Sequence, residues 1–308
     1  MKRLLISVML LASVLASAQE AQSDFKARYD RQVRNVGYAG VGVETILDRW
    51  EAAEPENPYL LEGKFHFYFT KSHSSKIIMR SESKYLGNAP VLSLKDTLGN
   101  DVNYYEDDFF VDSLFALSQT AIDKAIALEP AELAWRVDKV SALILYEKES
   151  PDLASAEILK MIDYQASAHP SWTHYGESAG DDTFILAVQE YCFTFYRYGT
   201  PGSYEAFRKI SERMLKLYPK NTDFINNLGS YYLVYKENPK QALKWYGKTL
   251  KINPADYTAA HNCVILARKE KNVKLEKKYL PILIKATADE IERQSYEARL
   301  AALNLKKK

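Results

Sequence analysis

The clearest pattern of hydrophobic and polar positions lies between residues 222 and 254. Apolar side chains recur there every three or four residues, which predicts an amphipathic helix, a break at Asn238 and Pro239, and a second helix that Pro254 ends. The apolar positions are Ile225, Leu228, Tyr232, Val234, Ala242, Leu243, Tyr246, Leu250 and Ile252. The segment therefore predicts two helices joined by a short turn, each with one face to bury.

Similar units flank this pair. Residues 35 positions apart have matching character, as Pro219 and Pro254 do, and Leu215 and Leu250. Further helices are predicted at 184–198, 204–218, 259–269 and 275–285. A period of this length is typical of repeat proteins, whose units bury their apolar faces against their neighbours.

The residues at Leu228-Gly229, Tyr232, Ala242, Tyr246 and Pro254 resemble the signature of a tetratricopeptide repeat, a helix–turn–helix unit of about 34 residues. The resemblance is clearest over residues 184–285. It implies an all-α fold, a tetratricopeptide-like α-solenoid of stacked helix pairs. The chain has one residue more than the family pattern between Gly229 and Ala242, and we expect it in the turn at 236–239.

Upstream, the helical pattern is less regular. Helices are predicted at 42–53, 59–69, 117–128, 133–146 and 154–168, although 65–69 alone also suits a strand. Residues 19–182 are interpreted as a degenerate helical-repeat region, with an unrelated helical domain as the alternative. Residues 183–285 form the tetratricopeptide-like repeats, and 286–308 a terminal capping helix that begins with a capping box of Thr287 and Glu290.

The segment 72–108 lacks a helical period until its end. Apolar and polar residues alternate at 91–95 and 102–105, and the residues between them include Gly99, so a small β-hairpin is predicted within this insertion. An ordinary surface insertion and a functional one are both open interpretations.

The first 18 residues are typical of a secretory signal peptide. Lys2 and Arg3 precede an apolar stretch at 4–14, and small residues follow at 16–18. We expect a mature chain from Gln19 in the periplasm or outside the cell, with an uncleaved N-terminal anchor as the alternative. No later stretch is long and apolar enough to predict an integral membrane segment.

The charge and the chemical motifs of the sequence reduce the classes of function that we expect for the chain. The formal charge is +1, or 1 − 2 = −1 without Lys2 and Arg3, which gives no electrostatic reason to expect nucleic acid as a partner. Phosphate-binding, catalytic and metal-ligand motifs are missing from the sequence, so we predict no enzymatic activity, no catalytic residue, no cofactor and no metal. The linker 169–182 combines two histidines with three carboxylates, but its spacing matches no ligand motif. Cys192 and Cys263 lie in apolar helical patterns and are expected to be buried free thiols.

The family resemblance also implies a binding surface. In tetratricopeptide proteins the first helices line the concave face of a superhelix, where an asparagine often hydrogen-bonds the backbone of an extended peptide. Asn227 and Asn262 match that position, although a hydrogen bond between packed helices is an alternative role for both. The candidate peptide-binding residues are Asn226, Asn227, Ser230, His261, Asn262 and Ile265.

The predicted function is a non-enzymatic scaffold of the cell envelope or secreted space that binds a protein or peptide. The alternative is a carbohydrate-binding or carbohydrate-processing accessory protein that uses exposed aromatic residues, with Trp172, Tyr104 and Tyr105 as candidates. The position of the surface aromatic residues distinguishes the two. The sequence leaves the oligomeric state open.

Overall fold

The computed structural model describes residues 24–148 and 150–305. Its helices are α1 (24–36), α2 (Val43–Ala53), α3 (Pro58–Ser72), α4 (Asp112–Leu128), α5 (Leu133–Glu147), α6 (Asp152–Ala168), α7 (Asp181–Tyr198), α8 (Pro201–Leu217), α9 (Thr222–Ser230), α10 (Pro239–Ile252), α11 (Tyr257–Lys269), α12 (Val273–Ala286) and α13 (Glu290–Leu305). Its strands are β1 (His73–Arg80), β2 (Leu92–Lys95), β3 (Asp101–Phe110), β4 (Thr173–His174) and β5 (Glu177–Ser178). The predicted signal peptide lies outside the described residues. Over the part that is described, no helix has both the length and the apolar character needed to cross a bilayer.

The predicted fold class, an all-α arrangement of stacked helix pairs with a small β insertion, is confirmed. The chain groups into two compact units. Among the described residues, the first unit contains 24–83, 89–146 and 171–180, and the second contains 84–88, 147–170 and 181–305. The predicted division at 182/183 stays a prediction, and α6 groups with the second unit rather than with the residues that precede it.

In the second unit, the 35-residue period predicted from the sequence has a direct structural counterpart. Helix α8 ends at Leu217 and α9 begins at Thr222, while α10 ends at Ile252 and α11 begins at Tyr257. Pro219 and Pro254 therefore occupy equivalent places in the two connections. Each connection also supplies the cap of the following helix, because the side chains of Asn221 and Asp256 accept hydrogen bonds from its first backbone N–H groups.

Each pair has a first and a second helix that pack together, as α7 with α8, α9 with α10, and α11 with α12. Adjacent pairs then stack, since α8 contacts α9 and α10 contacts α11. Gly229 of α9 allows the closest approach within a pair, because a Cβ built there would lie 2.5 Å from the ring of the fully buried Tyr246. Buried side chains of α10, α11, α12 and α13 form one apolar cluster.

The extra residue between Gly229 and Ala242 lies in the helix and not in the turn at 236–239, so that prediction is wrong. Helix α9 continues as a π-helical segment over Tyr231–Tyr235, in which the N–H of Lys236 donates to the carbonyl of Tyr231 at 3.1 Å. A π turn spans one residue more than an α turn, so it accommodates the insertion without breaking the helix.

A charged cluster holds this π segment. Glu205 of α8 accepts a hydrogen bond from the Tyr231 hydroxyl at 2.6 Å and forms ion pairs with Lys236 and Arg208, each at 3.0 Å. Burial acts to raise the pKa of Glu205, but these hydrogen bonds outweigh it and lower the pKa to about 2. The irregular turn is therefore fixed by charge-assisted contacts to the preceding helix pair.

The last helix, α13, packs against α12, and its role as a terminal cap stays a prediction. Its start differs from the predicted capping box. Thr287 donates to the carbonyl of Leu283 in α12, and Asp289 caps α13 by accepting from the N–H of Glu292 at 2.7 Å. The buried carboxylate of Glu276 joins three helices, because Arg299 binds it with two hydrogen bonds of 2.9 Å and Arg268 with one of 2.8 Å. These hydrogen bonds, those of Arg299 first, lower the pKa of Glu276.

In the first unit, the insertion lies between the two helices of one pair. Helices α3 and α4 pack along each other, and the N–H of Val111 donates to the carbonyl of Ser72 at 2.8 Å, so the insertion leaves and re-enters at adjacent points. The predicted hairpin is present as β2 and β3, and its turn is closed by Asp96 and by Gly99 at φ +83°. The sequence analysis missed β1, which pairs antiparallel with β3 to give the strand order β1-β3-β2.

Candidate functional site

The structure brings together three of the predicted site residues, Asn227, Ser230 and Asn262, in one cavity of the second unit. The cavity has a volume of about 210 Å³ and is open to solvent on one side. Its lining residues are Gln189, Phe193, Tyr196, Phe207, Asn227, Ser230 and Asn262. Pockets for small-molecule ligands usually measure about 300–1,000 Å³, so this cavity suits a side chain or short backbone segment of a larger partner.

The position of the cavity follows from the stacking of the repeats. Helices α7, α9 and α11 are the first helices of three successive pairs, and each contributes lining residues. Contacts of α7 with α9 and of α9 with α11 bring these helices side by side. An extended chain segment needs a binding surface that runs over several repeats, and this cavity extends over three.

The polar floor of the cavity is a pair of side-chain amides. Asn227 donates to Gln189 Oε1 at 2.9 Å, and Gln189 donates back to Asn227 Oδ1 at 3.2 Å. Asn227 also donates to the Ser211 hydroxyl at 3.3 Å. Residues of α7 and α8 therefore hold the Asn227 amide in one orientation. Most of its hydrogen-bonding capacity is used within the fold.

A second polar group lies beside the first. The hydroxyls of Ser230 and Tyr246 are 3.1 Å apart, and Asn262 also interacts with the Tyr246 phenol. Burial raises the pKa of Tyr246, so this hydroxyl stays neutral and takes part as a hydrogen-bonding group. Asn262 is only half-buried, which makes it the asparagine of the site that is best placed to bind a partner.

An apolar edge borders these amides. Phe193 lines the cavity and is 59% exposed, and Leu186, seven residues earlier on α7, is 60% exposed. Seven residues correspond to two helical turns, so both side chains lie on the same face of α7. Large apolar side chains beside fixed polar groups are typical of a protein contact.

The other three predicted residues lie outside this cavity. Asn226 is buried in the interior, where it donates to Asp256 at 3.0 Å and accepts from Thr249 at 2.7 Å. Its geometry is that of a hydrogen bond between packed helices. His261 stacks on the ring of Tyr257 with a centroid distance of 5.3 Å, and Ile265 is exposed on α11.

The residues of α7 and α8 that line the cavity were not predicted from the sequence. Gln189 and Phe193 are four residues apart on the first helix of the preceding pair, so one helix face carries both. Gln189 precedes its partner Asn227 by 38 positions instead of 35, because α8 has 17 residues whereas α10 has 14, and this offset hides the relation from the 35-residue period. Tyr196 and Phe207 also line the cavity and lie within the predicted helices 184–198 and 204–218.

The aromatic residues proposed for carbohydrate binding are not available as a platform. Trp172 and Tyr105 are 1% and 2% exposed, and Tyr104 is half-buried. The linker residues do not converge on one point either, since Asp181 is engaged by Gln165 and Tyr218. Cys192 and Cys263 are buried free thiols, as predicted.

Neither a family model nor a curated protein matches the chain. Among solved structures, pilF of Pseudomonas aeruginosa is 17% identical over 61% of this chain and 76% of its own, with a TM-score of 0.39. PilW, a widely conserved type IV pilus biogenesis factor, is 10% identical over 89% of this chain and 97% of its own, also at 0.39. MamA is 15% identical over 61% and 93%, at 0.36. These neighbours contain tetratricopeptide repeats, and TM-scores below 0.5 carry no partner or activity over to this chain.

Proposed function

We propose that the chain is a non-enzymatic scaffold that binds an extended segment of a protein partner along the first helices of its second unit. The observation that carries this proposal is the single cavity to which α7, α9 and α11 all contribute. Asn262, Ser230 and Gln189 supply hydrogen-bonding groups, and Phe193 supplies an apolar contact at the edge. The partner's backbone binds the amides, and one of its side chains enters the cavity.

The exposed surface of the insertion also favours a protein partner over a carbohydrate. Strand pairing places Met79 and Leu92 on either side of Tyr104, with Ile77 and Leu94 further along the same face. These four aliphatic side chains are exposed. Carbohydrates are bound by flat aromatic surfaces, whereas exposed aliphatic clusters are typical of protein contacts.

The proposed location is the periplasm or the space outside the cell, after removal of residues 1–18. The basis is the charged, then apolar, then small-residue order of the N-terminal segment. Nucleic acid is not proposed as a partner, because the chain carries a formal charge of only +1.

Site-specific photocrosslinking in the native host tests the binding site. A photoreactive phenylalanine analogue at Phe193 should give discrete crosslinked species, and the same analogue at Lys216, an exposed residue of α8, should not. Asn262→Ala should reduce the Phe193 crosslinks at unchanged thermal stability. Equal crosslinking from both positions, or none from Phe193, would refute the proposed site.

A further inference from the structure

A second cavity lies in the first unit and is unrelated to the amides described above. It has a volume of about 390 Å³. Its lining residues are Lys26, Tyr29, Asp30, Val33, Arg34, Tyr38, Glu62, His66 and Tyr175. Two of them, Glu62 and His66, meet Asp138 at one side of this cavity, and these three residues form the cluster of interest.

The helices bring the three side chains to one point. Glu62 and His66 are four residues apart on α3 and therefore share a face, and Asp138 projects from α5. His66 Nε2 lies 3.9 Å from Glu62 Oε1 and 3.6 Å from Asp138 Oδ2. All three ligand atoms lie within 4.8 Å of one another, and each side chain is only 19% exposed.

Asp138 distinguishes this cluster from a set of surface charges. Its Oδ2 atom is buried and has no hydrogen-bond partner in the described part of the chain. A buried carboxylate oxygen is normally hydrogen-bonded, because burying it without a partner is costly. Within the described residues, the fold therefore supplies no hydrogen-bond donor to this oxygen of Asp138.

Glu132 in the same unit shows how the fold satisfies a buried carboxylate that is purely structural. It accepts hydrogen bonds from the N–H groups of Ala134, Tyr175 and Gly176 and from the hydroxyl of Thr173, at 2.8–3.1 Å. Four donors thus surround Glu132. The contrast with Asp138 points to a ligand that enters from outside the chain.

We propose that Glu62, His66 and Asp138 form a binding site for a divalent transition-metal ion, with Zn²⁺ as the best-matched ion. One imidazole nitrogen with two carboxylate oxygens is a donor set that such ions accept. Ligand atoms about 2.1 Å from a tetrahedral zinc lie about 3.4 Å apart, so the 3.6 and 3.9 Å distances to the imidazole nitrogen require shifts of a few tenths of an ångström. The two carboxylate oxygens lie within 4.8 Å of each other and come closer together when the ion binds.

The surroundings support this assignment. Tyr38 stacks on the His66 ring at a centroid distance of 4.5 Å, which restricts the orientation of the imidazole. Among the positive groups that line the cavity, Lys26 already pairs with Asp30 at 2.8 Å. The remaining coordination positions of the ion face the cavity, where water or a carboxylate of a partner can occupy them.

Calorimetric titration of the purified, chelator-treated chain with zinc chloride tests the proposal. One zinc ion should bind per chain, and Asp138→Asn and His66→Gln should each weaken binding at least tenfold, since even indirect partners of a metal ligand contribute tenfold or more. Asp30→Asn is the matched control, because this carboxylate lines the same cavity but pairs with Lys26, and it should leave the affinity unchanged.

A thermal-unfolding measurement separates a metal site from an ordinary ion pair. Zinc should raise the unfolding temperature of the wild type and of Asp30→Asn, but not that of Asp138→Asn. Without zinc, Asp138→Asn should be as stable as the wild type or more stable, because it removes a buried charge that lacks a hydrogen bond. Absence of zinc binding to the wild type, or equal binding by Asp138→Asn, would overturn the proposal.

Discussion

Replacing two glycines of the same helix pair with alanine should change the stability of the chain in opposite directions. At Gly229 an added Cβ would lie 2.5, 2.7 and 2.8 Å from three ring atoms of Tyr246, whose side chain is completely buried. Carbon atoms pack best at about 3.5–4.0 Å, so the ring or helix α9 must move by about 1 Å. Overpacking of this kind costs about 1–3 kcal/mol.

Alanine also brings a gain of about 1 kcal/mol in helix propensity at such a position. Because three contacts are tight and the ring is fully buried, the packing cost lies at the upper end, and Gly229→Ala should destabilise the chain by about 2 kcal/mol. At Gly247 of α10 nothing lies within 4 Å of the added Cβ. Gly247→Ala should therefore gain about 1 kcal/mol from propensity alone.

Urea denaturation followed by circular dichroism measures both changes. The slope of the unfolding free energy against urea concentration is held equal between variants. Hydrogen exchange of the α9 and α10 amides locates the effect in this helix pair. The double variant of Gly229→Ala with Tyr246→Leu should be more stable than the sum of the single changes predicts, because the smaller side chain removes the overlap. If Gly229→Ala stabilised the chain as Gly247→Ala does, close helix approach would not be the reason for glycine there.

Three further predictions concern buried charges and thiols. Glu276→Gln should lower stability by about 1–2 kcal/mol at pH 7, as measured by urea denaturation, because Arg299 loses a charged acceptor; an unchanged midpoint would contradict this. Glu205→Gln should be destabilising at neutral pH, and the difference from wild type should vanish as the pH falls from 4.5 to about 2, because the depressed native pKa stabilises the fold only while the carboxylate is ionised. Cys192 and Cys263 should react with a thiol reagent only after unfolding, since burial raises the pKa of both to about 12; rapid labelling of the native chain would show that they are accessible.

The helices of the second unit could be predicted because their determinants are local. Apolar spacing, an Asn or Asp cap and the prolines that follow α8 and α10 lie within a few residues of the boundaries they set, so the 35-residue offset between these two helices in the sequence equals the offset in the structure. The same local rules misplaced the start of α13. Thr287 and Glu290 fit a capping box, but Thr287 is buried against α12 and Asp289 is free to cap.

Features that depend on contacts between residues far apart in the chain could not be predicted from the sequence. Strand β1 has no alternating pattern of its own and is defined by its partner β3, about 30 residues later in the chain. The π segment is held by Glu205 on another helix, which accepts a hydrogen bond from Tyr231, and no local spacing encodes this contact. Glu62 and His66 have a spacing that a sequence shows, but Asp138, which completes their cluster, lies 138 − 66 = 72 positions further on.

The family resemblance indicates a helix face of which Asn227, Ser230 and Asn262 line the cavity, and hydrogen bonding decides which residues on it are available to bind. Asn226 and Asn227 match or adjoin the family position, yet the first is engaged by Asp256 and Thr249 and the second by Gln189 and Ser211. A peptide that bound these amides would have to break contacts that hold helix pairs together, which leaves buried polar groups unpaired.

Binding is therefore favoured at side chains whose hydrogen-bonding capacity the fold leaves incompletely used. Gln189 uses one N–H in the pair with Asn227, and a glutamine amide carries a second. Asn262 is half-buried and lines the cavity, and Phe193 adds exposed apolar surface. Consequently, Asn262→Ala should reduce partner binding with little loss of stability, whereas Asn227→Ala should reduce both, and thermal unfolding measured alongside crosslinking separates the two. Equal losses of stability in the two variants would mean that Asn262 also serves helix packing.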